Sequence, residues 1–201
     1  SSFVDLKPGF SGCFGFGFGF GSELGFGFAL EAARDSGDAD TEEIYIVKYA
    51  VSATNLDVDW NANGGPVYGA FNTVVGNALA NLTSAGIGYT VEGMMWMQGE
   101  NDAFDTQRAA NYETNLTTLI DDVRTRYGQG VDFLIGRLHD ELPPGFFAAN
   151  TVRTAQRNVG DADGRNHWIN TDGFEVSDDL VHFTSEGHLE LGEAFADIFI
   201  D

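Results

Sequence analysis

Positive charge is scarce in this chain. Only 10 of the 201 residues are lysine or arginine, against 31 aspartates and glutamates, so the formal net charge is -21. Such a surface repels the phosphates of nucleic acids and of anionic membranes, because binding them requires clustered lysines and arginines. We therefore expect neither nucleic acid nor a membrane as a partner, and a neutral or weakly charged substrate.

Cysteine and long apolar runs are also scarce. Cys13 is the single cysteine, so an internal disulfide is excluded and a cysteine-based metal site is not expected. The four histidines show no tight ligand spacing, so a metal site is not expected. No other cofactor is expected either. No apolar run reaches the roughly 18 residues of a membrane-spanning helix, and no signal peptide is visible. The compartment stays open, with a secreted or periplasmic location favoured.

Length and composition predict a single folded domain over residues 1–201, because 43% hydrophobic and 13% aromatic content is typical of globular proteins. Segments rich in β-branched and aromatic residues alternate with segments of helical periodicity. The predicted strands are 43–51, 89–99, 131–139 and 167–171, and the predicted helices begin near residue 23 and span 66–86, 108–128, 145–160 and 185–200. This alternation indicates an α/β fold with a parallel sheet covered on both faces.

The segment SGCFGFGFGFGSELGFGF, residues 11–28, alternates glycine with phenylalanine. It lacks lysine and arginine, and no clear strand leads into it, so it does not have the features of a phosphate-binding loop. We predict a glycine-rich loop whose aromatic rings pack on a neighbouring surface.

Polar segments follow three of the predicted strands. They are SATNLDVDW (52–60), QGENDAF (98–104) and the loop that leads to SDDLVHF (177–183). Ligands of parallel sheets bind at the carboxyl ends of the strands. We therefore expect the three segments to converge at one edge of the sheet.

Asp179 lies three residues before His182, just ahead of the closing helix. A carboxylate that orients an imidazole forms two of the three members of a nucleophilic triad. The alternative is an ordinary surface or capping histidine. His188 and His139 are weaker candidates.

The segment after the second predicted strand is dense in polar side chains. Gln98, Glu100, Asn101 and Asp102 would be costly to bury without partners, and their place at a strand end suits donors that stabilise an oxyanion. The alternative is a hydrogen-bonded turn in which Asn101 or Asp102 caps the next helix.

Three segments together resemble the SGNH-hydrolase superfamily. They are WMQGEND (96–102), DDLVHF (178–183) and KYAVSATNL (48–56). The first two match the Trp-x-Gln-Gly-Glu-x-Asp and Asp-x-x-His blocks of sialate O-acetylesterases and acetylxylan esterases, the carbohydrate esterase family 6 type. FGSELGFGFAL (20–30) is similar to a further segment of that family, with serine at position 22 where the family has proline.

The resemblance implies a three-layer α/β/α sandwich with a parallel, flavodoxin-like sheet whose first strand is missing from this chain. It also implies hydrolysis of O-acetyl esters on carbohydrates by a serine esterase through an acyl-enzyme intermediate. In that scheme Asp179 orients His182, which acts as general base and then as general acid. Glu100 is a second candidate for the acidic partner of the histidine.

For the oxyanion hole, the resemblance implies Gln98 or Asn101 together with the backbone N–H of Ala53. Here the chain departs from the family, because Ser52, Ala53 and Thr54 stand where members often have Gly-Gly-Thr. An alanine still offers its N–H, so the change alone does not remove the hole.

A second departure concerns the nucleophile. The family carries its serine in a Gly-x-Ser-Asn type motif after the first strand, and this motif is absent from the chain. We expect the serine to lie upstream of residue 1. Ser52 at the end of a predicted strand is the alternative nucleophile, and a third possibility is a pseudoenzyme that binds acetylated glycans without cleaving them.

A carbohydrate-binding protein is the alternative outside the enzymes, because Trp60, Trp96 and the phenylalanine-rich segment could stack on sugar rings. Pure binding requires neither Asp179 nor His182, whereas acyl transfer requires both. The pair therefore distinguishes the two hypotheses.

Overall fold

The computed structural model describes residues 3–9, 11–13, 16–37 and 43–200. They form two compact units: the sheet unit, residues 49–172, and the terminal unit, residues 3–48 with 173–200. The elements, in chain order, are β1 (Ser11–Cys13), β2 (Phe16–Gly19), α1 (Glu23–Ser36), α2 (Pro66–Ser84), β3 (Gly93–Met97), α3 (Thr106–Tyr127), β4 (Asp132–Gly136), α4 (Ala149–Asp161), β5 (Asn166–Ile169) and α5 (Ser185–Ile200).

The sheet unit is built on three parallel strands in the order β3-β4-β5. The register aligns Trp96 with Ile135 and Ile135 with Trp168. The central strand β4 is the most deeply buried, and Phe133, Leu134 and Ile135 are fully inaccessible to solvent. Parallel strands need such cover on both faces, which explains the continuous apolar sequence of β4.

The residues at the two ends of helix α3 explain where the helix begins and where it ends. Asp105 is the N-cap, and its carboxylate accepts hydrogen bonds from the backbone N–H groups of Gln107 (2.8 Å) and Arg108 (3.0 Å). The helix ends at Gly128, whose φ of 135° few other residues adopt. Its buried stripe, at helical spacing, comprises Ala109, Tyr112, Leu116, Leu119, Ile120 and Val123.

An ion-pair cluster braces the carboxyl ends of β4 and β5. Arg153 of α4 donates to both carboxylate oxygens of Asp172, at 2.8 and 3.0 Å. Arg137 donates to the same carboxylate, and its guanidinium lies 4.9 Å from the ring centre of Trp168. The hydrogen bonds from Arg153 lower the pKa of Asp172, which favours its ionised carboxylate.

In the terminal unit, α1 and α5 approach each other through glycines. A Cβ at Gly192 of α5 would lie 2.2 Å from the carbonyl oxygen of Ser22, and a Cβ at Gly25 of α1 would lie 2.5 Å from that of Leu189. The backbones meet because these positions have no side chain. Among the described residues, no helix is long and apolar enough to cross a membrane.

The structure confirms the α/β class and the predicted helices, with ends shifted by a few residues. It also confirms three of the four predicted strands. The strand predicted at 43–51 is wrong, because residues 43–51 carry no regular hydrogen-bond ladder. Apolar, β-branched residues favour a strand only where a partner strand exists. Here Tyr45 instead packs its ring against Phe3, with centroids 4.9 Å apart.

The loop predicted for residues 11–28 is also wrong in part. β1 and β2 pair in an antiparallel ladder, with Ser11 opposite Gly19, and α1 begins at Glu23. The predicted packing of the phenylalanine rings at positions 14, 16 and 18 lies outside the part of the chain whose side chains are described.

We predict that Gly192→Ala lowers the free energy of unfolding by about 1–3 kcal/mol, because the added methyl group overlaps the backbone of α1. The matched control is Gly76→Ala in α2, where a Cβ meets nothing within 4 Å. Alanine favours a helix over glycine, so the control should gain about 0.5–1 kcal/mol. Urea unfolding monitored by circular dichroism measures both, and equal effects would contradict the close α1–α5 contact.

Candidate functional site

A buried carboxylate joins two loops of the sheet unit. Asp102, in the turn after β3, is completely inaccessible to solvent. Its two oxygens accept hydrogen bonds from the backbone N–H of Leu56, at 3.2 and 3.0 Å, and one also accepts from Nε2 of Gln98 at 2.6 Å. Burial raises the pKa of Asp102, whereas these donors oppose the rise. The 51–60 loop is therefore fastened to the turn.

Gln98 makes a second connection between the same loops. Its Nε2 also donates to the carbonyl oxygen of Thr54 at 3.1 Å. A side-chain amide has two N–H groups, so both are occupied by Asp102 and Thr54. Its Oε1 is buried and has no hydrogen-bond partner in the described part of the chain. Gln98 thus holds the loop in place but has no N–H left for a ligand.

Asn101 and Ala53, unlike Gln98, each have an N–H group that remains available to a ligand. Nδ2 of Asn101 donates to the carbonyl oxygen of Ala53 at 3.1 Å, which leaves its second N–H without an acceptor among the residues described. The backbone N–H of the exposed Ala53 has none there either. Ala53 has a φ of 57°, a left-handed conformation that suits glycine better. The two residues place available donors on adjoining segments.

Two side chains that the sequence reasoning missed hold the backbone of Gln98. Its carbonyl oxygen accepts from the hydroxyl of Tyr112 at 2.8 Å and from Nε2 of Gln156 at 2.9 Å. Gln156 is fully buried, and its Oε1 accepts from the backbone N–H of Leu138 at 2.9 Å. A glutamine inside the apolar stripe of α4 is the signal that could have revealed it.

The remaining predicted residues of the sheet unit lie nearby in sequence. Glu100 is half-buried in the turn between Gln98 and Asn101. Ser52 is exposed, one residue before Ala53. The hydrogen-bonded turn of the alternative interpretation is present, with the backbone N–H of Asp102 donating to the carbonyl oxygen of Gly99 at 3.1 Å. Its predicted cap is wrong, because the N-cap of α3 is Asp105.

In the terminal unit, Nδ1 of His182 and Oδ2 of Asp179 are 2.7 Å apart. Both side chains are well exposed, with 69% of His182 and 51% of Asp179 accessible. With Nδ1 engaged by the carboxylate, Nε2 is the ring nitrogen that remains for proton transfer. The structure therefore brings together the two residues that the spacing had singled out.

A tight turn explains this geometry. Val176 pairs with Phe183, and the backbone N–H of Ser177 donates to the carbonyl oxygen of His182 at 2.8 Å. Leu180 closes the turn with a φ of 56°. The segment thus folds back on itself and brings the imidazole to the carboxylate.

The second oxygen of Asp179 is held by three donors from the same turn. Oδ1 accepts from the hydroxyl of Ser177 (2.7 Å) and from the backbone N–H groups of Val181 (2.8 Å) and His182 (2.9 Å). The hydrogen bonds from His182, with those from Ser177 and Val181, hold the pKa of the Asp179 carboxyl well below its usual range. The carboxyl of Asp179 is therefore held in its ionised form.

The two weaker histidine candidates are packed differently. His188 lies in the first turn of α5, with its ring 5.8 Å from that of Phe183 and its Nδ1 buried without a partner in the described chain. Burial lowers the pKa of His188. His139 is buried, and its Nδ1 accepts from the backbone N–H of Glu141 at 3.2 Å.

Comparison with known families decides the assignment. A family model described as carbohydrate esterase, sialic acid-specific acetylesterase, matches residues 16–201. The chain belongs to this carbohydrate esterase family. The resemblance inferred from the sequence blocks is therefore confirmed, and family membership supports a carbohydrate acetylesterase-type function.

A solved structure supports the fold. An X-ray structure of a protein from Arabidopsis thaliana matches this carbohydrate esterase with a TM-score of 0.75 and 22% sequence identity. The match covers 92% of this chain and 70% of that chain. It confirms the α/β/α fold. A comparison with curated proteins found no match.

We predict that Asp102→Ala lowers the free energy of unfolding by about 3 kcal/mol, because it leaves the N–H groups of Leu56 and Gln98 buried without their acceptor. Asp121→Ala, at an exposed position of α3, is the matched control and should change it by less than about 0.5 kcal/mol. Urea unfolding measures both. Equal stabilities of the two variants would show that Asp102 does not fasten the loop.

Proposed function

We propose that this carbohydrate esterase hydrolyses O-acetyl esters on sugars as a serine esterase, through an acyl-enzyme intermediate. The observation that carries the proposal is the 2.7 Å contact between Asp179 and Nδ1 of His182. A binding protein has no need of an ionised carboxylate aligned with an exposed imidazole, whereas nucleophilic catalysis requires both. The acetylated carbohydrate is the expected substrate.

His182 moves the protons of the reaction. As the serine oxygen attacks the acetyl carbonyl carbon, Nε2 of His182 takes the hydroxyl proton, and it then gives that proton to the departing sugar oxygen. Water repeats the sequence: it attacks the acyl-enzyme, loses a proton to Nε2, and releases acetate as the serine recovers its proton. Asp179 fixes the tautomer of the ring and stabilises its charged form.

Asn101 and Ala53 supply the oxyanion donors. Each has an N–H without an acceptor in the described chain, whereas both N–H groups of Gln98 are occupied. A donor that already bonds to two protein oxygens offers nothing to a developing charge. We therefore assign Gln98 a positioning role and Asn101 the side-chain donor.

Asp179 is the better of the two acidic candidates for pairing with the imidazole. The N–H on Nδ1 of His182 has one bond to give, and Asp179 already accepts it. Glu100 stays a secondary candidate, from a turn that follows β3.

The nucleophile is a serine on a further strand beside β3. In the described chain, β3 forms a ladder with β4 on one edge, and its other edge has no strand. A parallel strand added there would end at the same edge of the sheet as Gln98 and Asn101, where ligands of such sheets bind. We place the serine on that strand, supplied from outside residues 1–201. Ser52 is the alternative nucleophile.

A second candidate function is a pseudoenzyme that binds acetylated glycans without cleaving them. It is favoured by one observation: among the residues described, no serine hydroxyl is hydrogen-bonded to Nε2 of His182. Measured turnover distinguishes the two functions.

We predict that His182→Ala in the full-length gene product lowers kcat for p-nitrophenyl acetate by about 10⁴-fold, because the general base is lost. His167→Gln is the matched control, since His167 contacts Asp132 at the amino end of β4 and should leave kcat unchanged. Unchanged turnover in His182→Ala would exclude the proposed base. If Ser52→Ala abolishes turnover as well, Ser52 is the nucleophile.

We predict that Asn101→Ala in the same protein lowers kcat by about 10²- to 10³-fold with little change in KM, because the donor acts on charge that develops only in the transition state. Asn158→Ala is the control, since Nδ2 of Asn158 donates to Glu113 on the helical surface at 2.8 Å. A rise in KM with kcat unchanged would mean that Asn101 binds substrate and does not stabilise the oxyanion.

A further inference from the structure

Two loops of the sheet unit carry large aromatic side chains that are exposed to solvent. Phe104 follows β3 and is 46% exposed, and Phe147 follows β4 and is 65% exposed. Phe146 directly precedes Phe147 in the sequence and contacts Phe104 in space, with the two ring centroids 4.1 Å apart and the ring planes inclined by 37°. We call these three residues the aromatic platform. Clustered exposed apolar side chains of this kind mark binding surfaces.

The aromatic platform rests on a braced backbone. The N–H of Ala148 donates to the carbonyl oxygen of Ala103 at 3.0 Å, and this bond joins the two loops. Both alanines are buried, although each is next in sequence to an exposed phenylalanine. The loop after β4 is closed further by a bond of 2.9 Å from the N–H of Phe146 to the carbonyl oxygen of Pro143. The rings are thus held outside the core by anchored neighbours.

The platform shares its turn with the proposed oxyanion donor. Phe104 lies three residues after Asn101, and the N–H of Ala103 donates to the carbonyl oxygen of Gly99 at 3.0 Å within that turn. Both loops follow the carboxyl ends of parallel strands, the edge at which ligands of such sheets bind. A ligand held on the rings therefore contacts the same turn that carries the proposed oxyanion donor.

We infer that the aromatic platform is a binding site for a neutral pyranose ring adjacent to the acetylated residue of an oligosaccharide. The inference rests on the proposed function and specifies its substrate as a chain of sugars. Phenyl rings carry no polar group, so they suit the C–H face of a sugar. A net charge of -21 repels an anionic sugar, so the ring bound there is neutral.

A second copy of this chain is a poorer occupant. Two molecules of charge -21 repel each other. A stable interface also buries about 800 Å² on each partner, and three phenylalanines, only two of them well exposed, provide a fraction of that. A single sugar ring, in contrast, is small enough to be covered by the two exposed phenylalanine rings.

The test uses Phe104→Ala/Phe147→Ala in the full-length gene product, with three substrates: acetylated xylotetraose, acetylated xylose and p-nitrophenyl acetate. We expect kcat/KM for the tetrasaccharide to fall about tenfold, from the loss of two stacking contacts. The values for the other two should be unchanged, because neither has a flanking sugar ring. Tyr89→Ala is the matched control, since Tyr89 is 43% exposed and precedes the amino end of β3.

Affinity electrophoresis in gels that contain acetylated xylan gives a readout independent of turnover. The wild type and Tyr89→Ala should be retarded, and the double variant should not. Equal cleavage of the tetrasaccharide and equal retardation by wild type and double variant would overturn the inference. If the wild type cleaves none of the substrates, the proposed function is wrong. The retardation of the wild type compared with that of the double variant then tests by itself whether the aromatic platform binds sugar. A wild-type dimer that the double variant dissociates, without any change in sugar binding, would identify a second copy as the occupant.

Discussion

The buried carboxylate of Asp102 is the constraint on which the arrangement of the sheet unit depends. An unpaired charge in the core would be costly, so its oxygens must be saturated, and the donors come from Leu56 and Gln98. Satisfying one carboxylate therefore determines where the 51–60 loop runs. Ala53 and Asn101 acquire their positions from this network, although neither is hydrogen-bonded to Asp102. The proposed oxyanion donors are thus held by polar groups whose own hydrogen bonds are already made within the protein.

The pair of the terminal unit follows a different principle. Asp179 and His182 are exposed, so burial contributes little to their alignment. The turn between Val176 and Phe183 supplies the geometry, and its own N–H and hydroxyl groups supply the charge stabilisation of the carboxylate. All of these donors lie within a few residues of Asp179. A pair of this kind is readable from a short stretch of sequence, because the interactions that make it are local.

The distinction between local interactions and contacts that join distant parts of the chain explains what could and could not be predicted from the sequence. Helices with an apolar stripe and a cap, such as α3, follow from local pattern, as do the strands of the sheet. The segment 43–51 has a strand composition but no ladder, since pairing depends on residues elsewhere. The sequence left Gln98 and Asn101 equivalent as donors, because only three-dimensional contacts show that Thr54 and Asp102 occupy the former. Gln156 stayed hidden because its role is defined by backbone groups far away in the chain.

The unequal burial of the strands bears on where the proposed nucleophile could lie. β4 has a neighbour on each side and is almost wholly buried, whereas β3 has one neighbour in the described chain and is only partly buried. An open edge of parallel sheet leaves N–H and C=O groups without ladder partners, and proteins normally cover such edges. The strand that would cover it would also end beside Gln98 and Asn101. A strand carrying the proposed nucleophile would therefore also cover the open edge of β3.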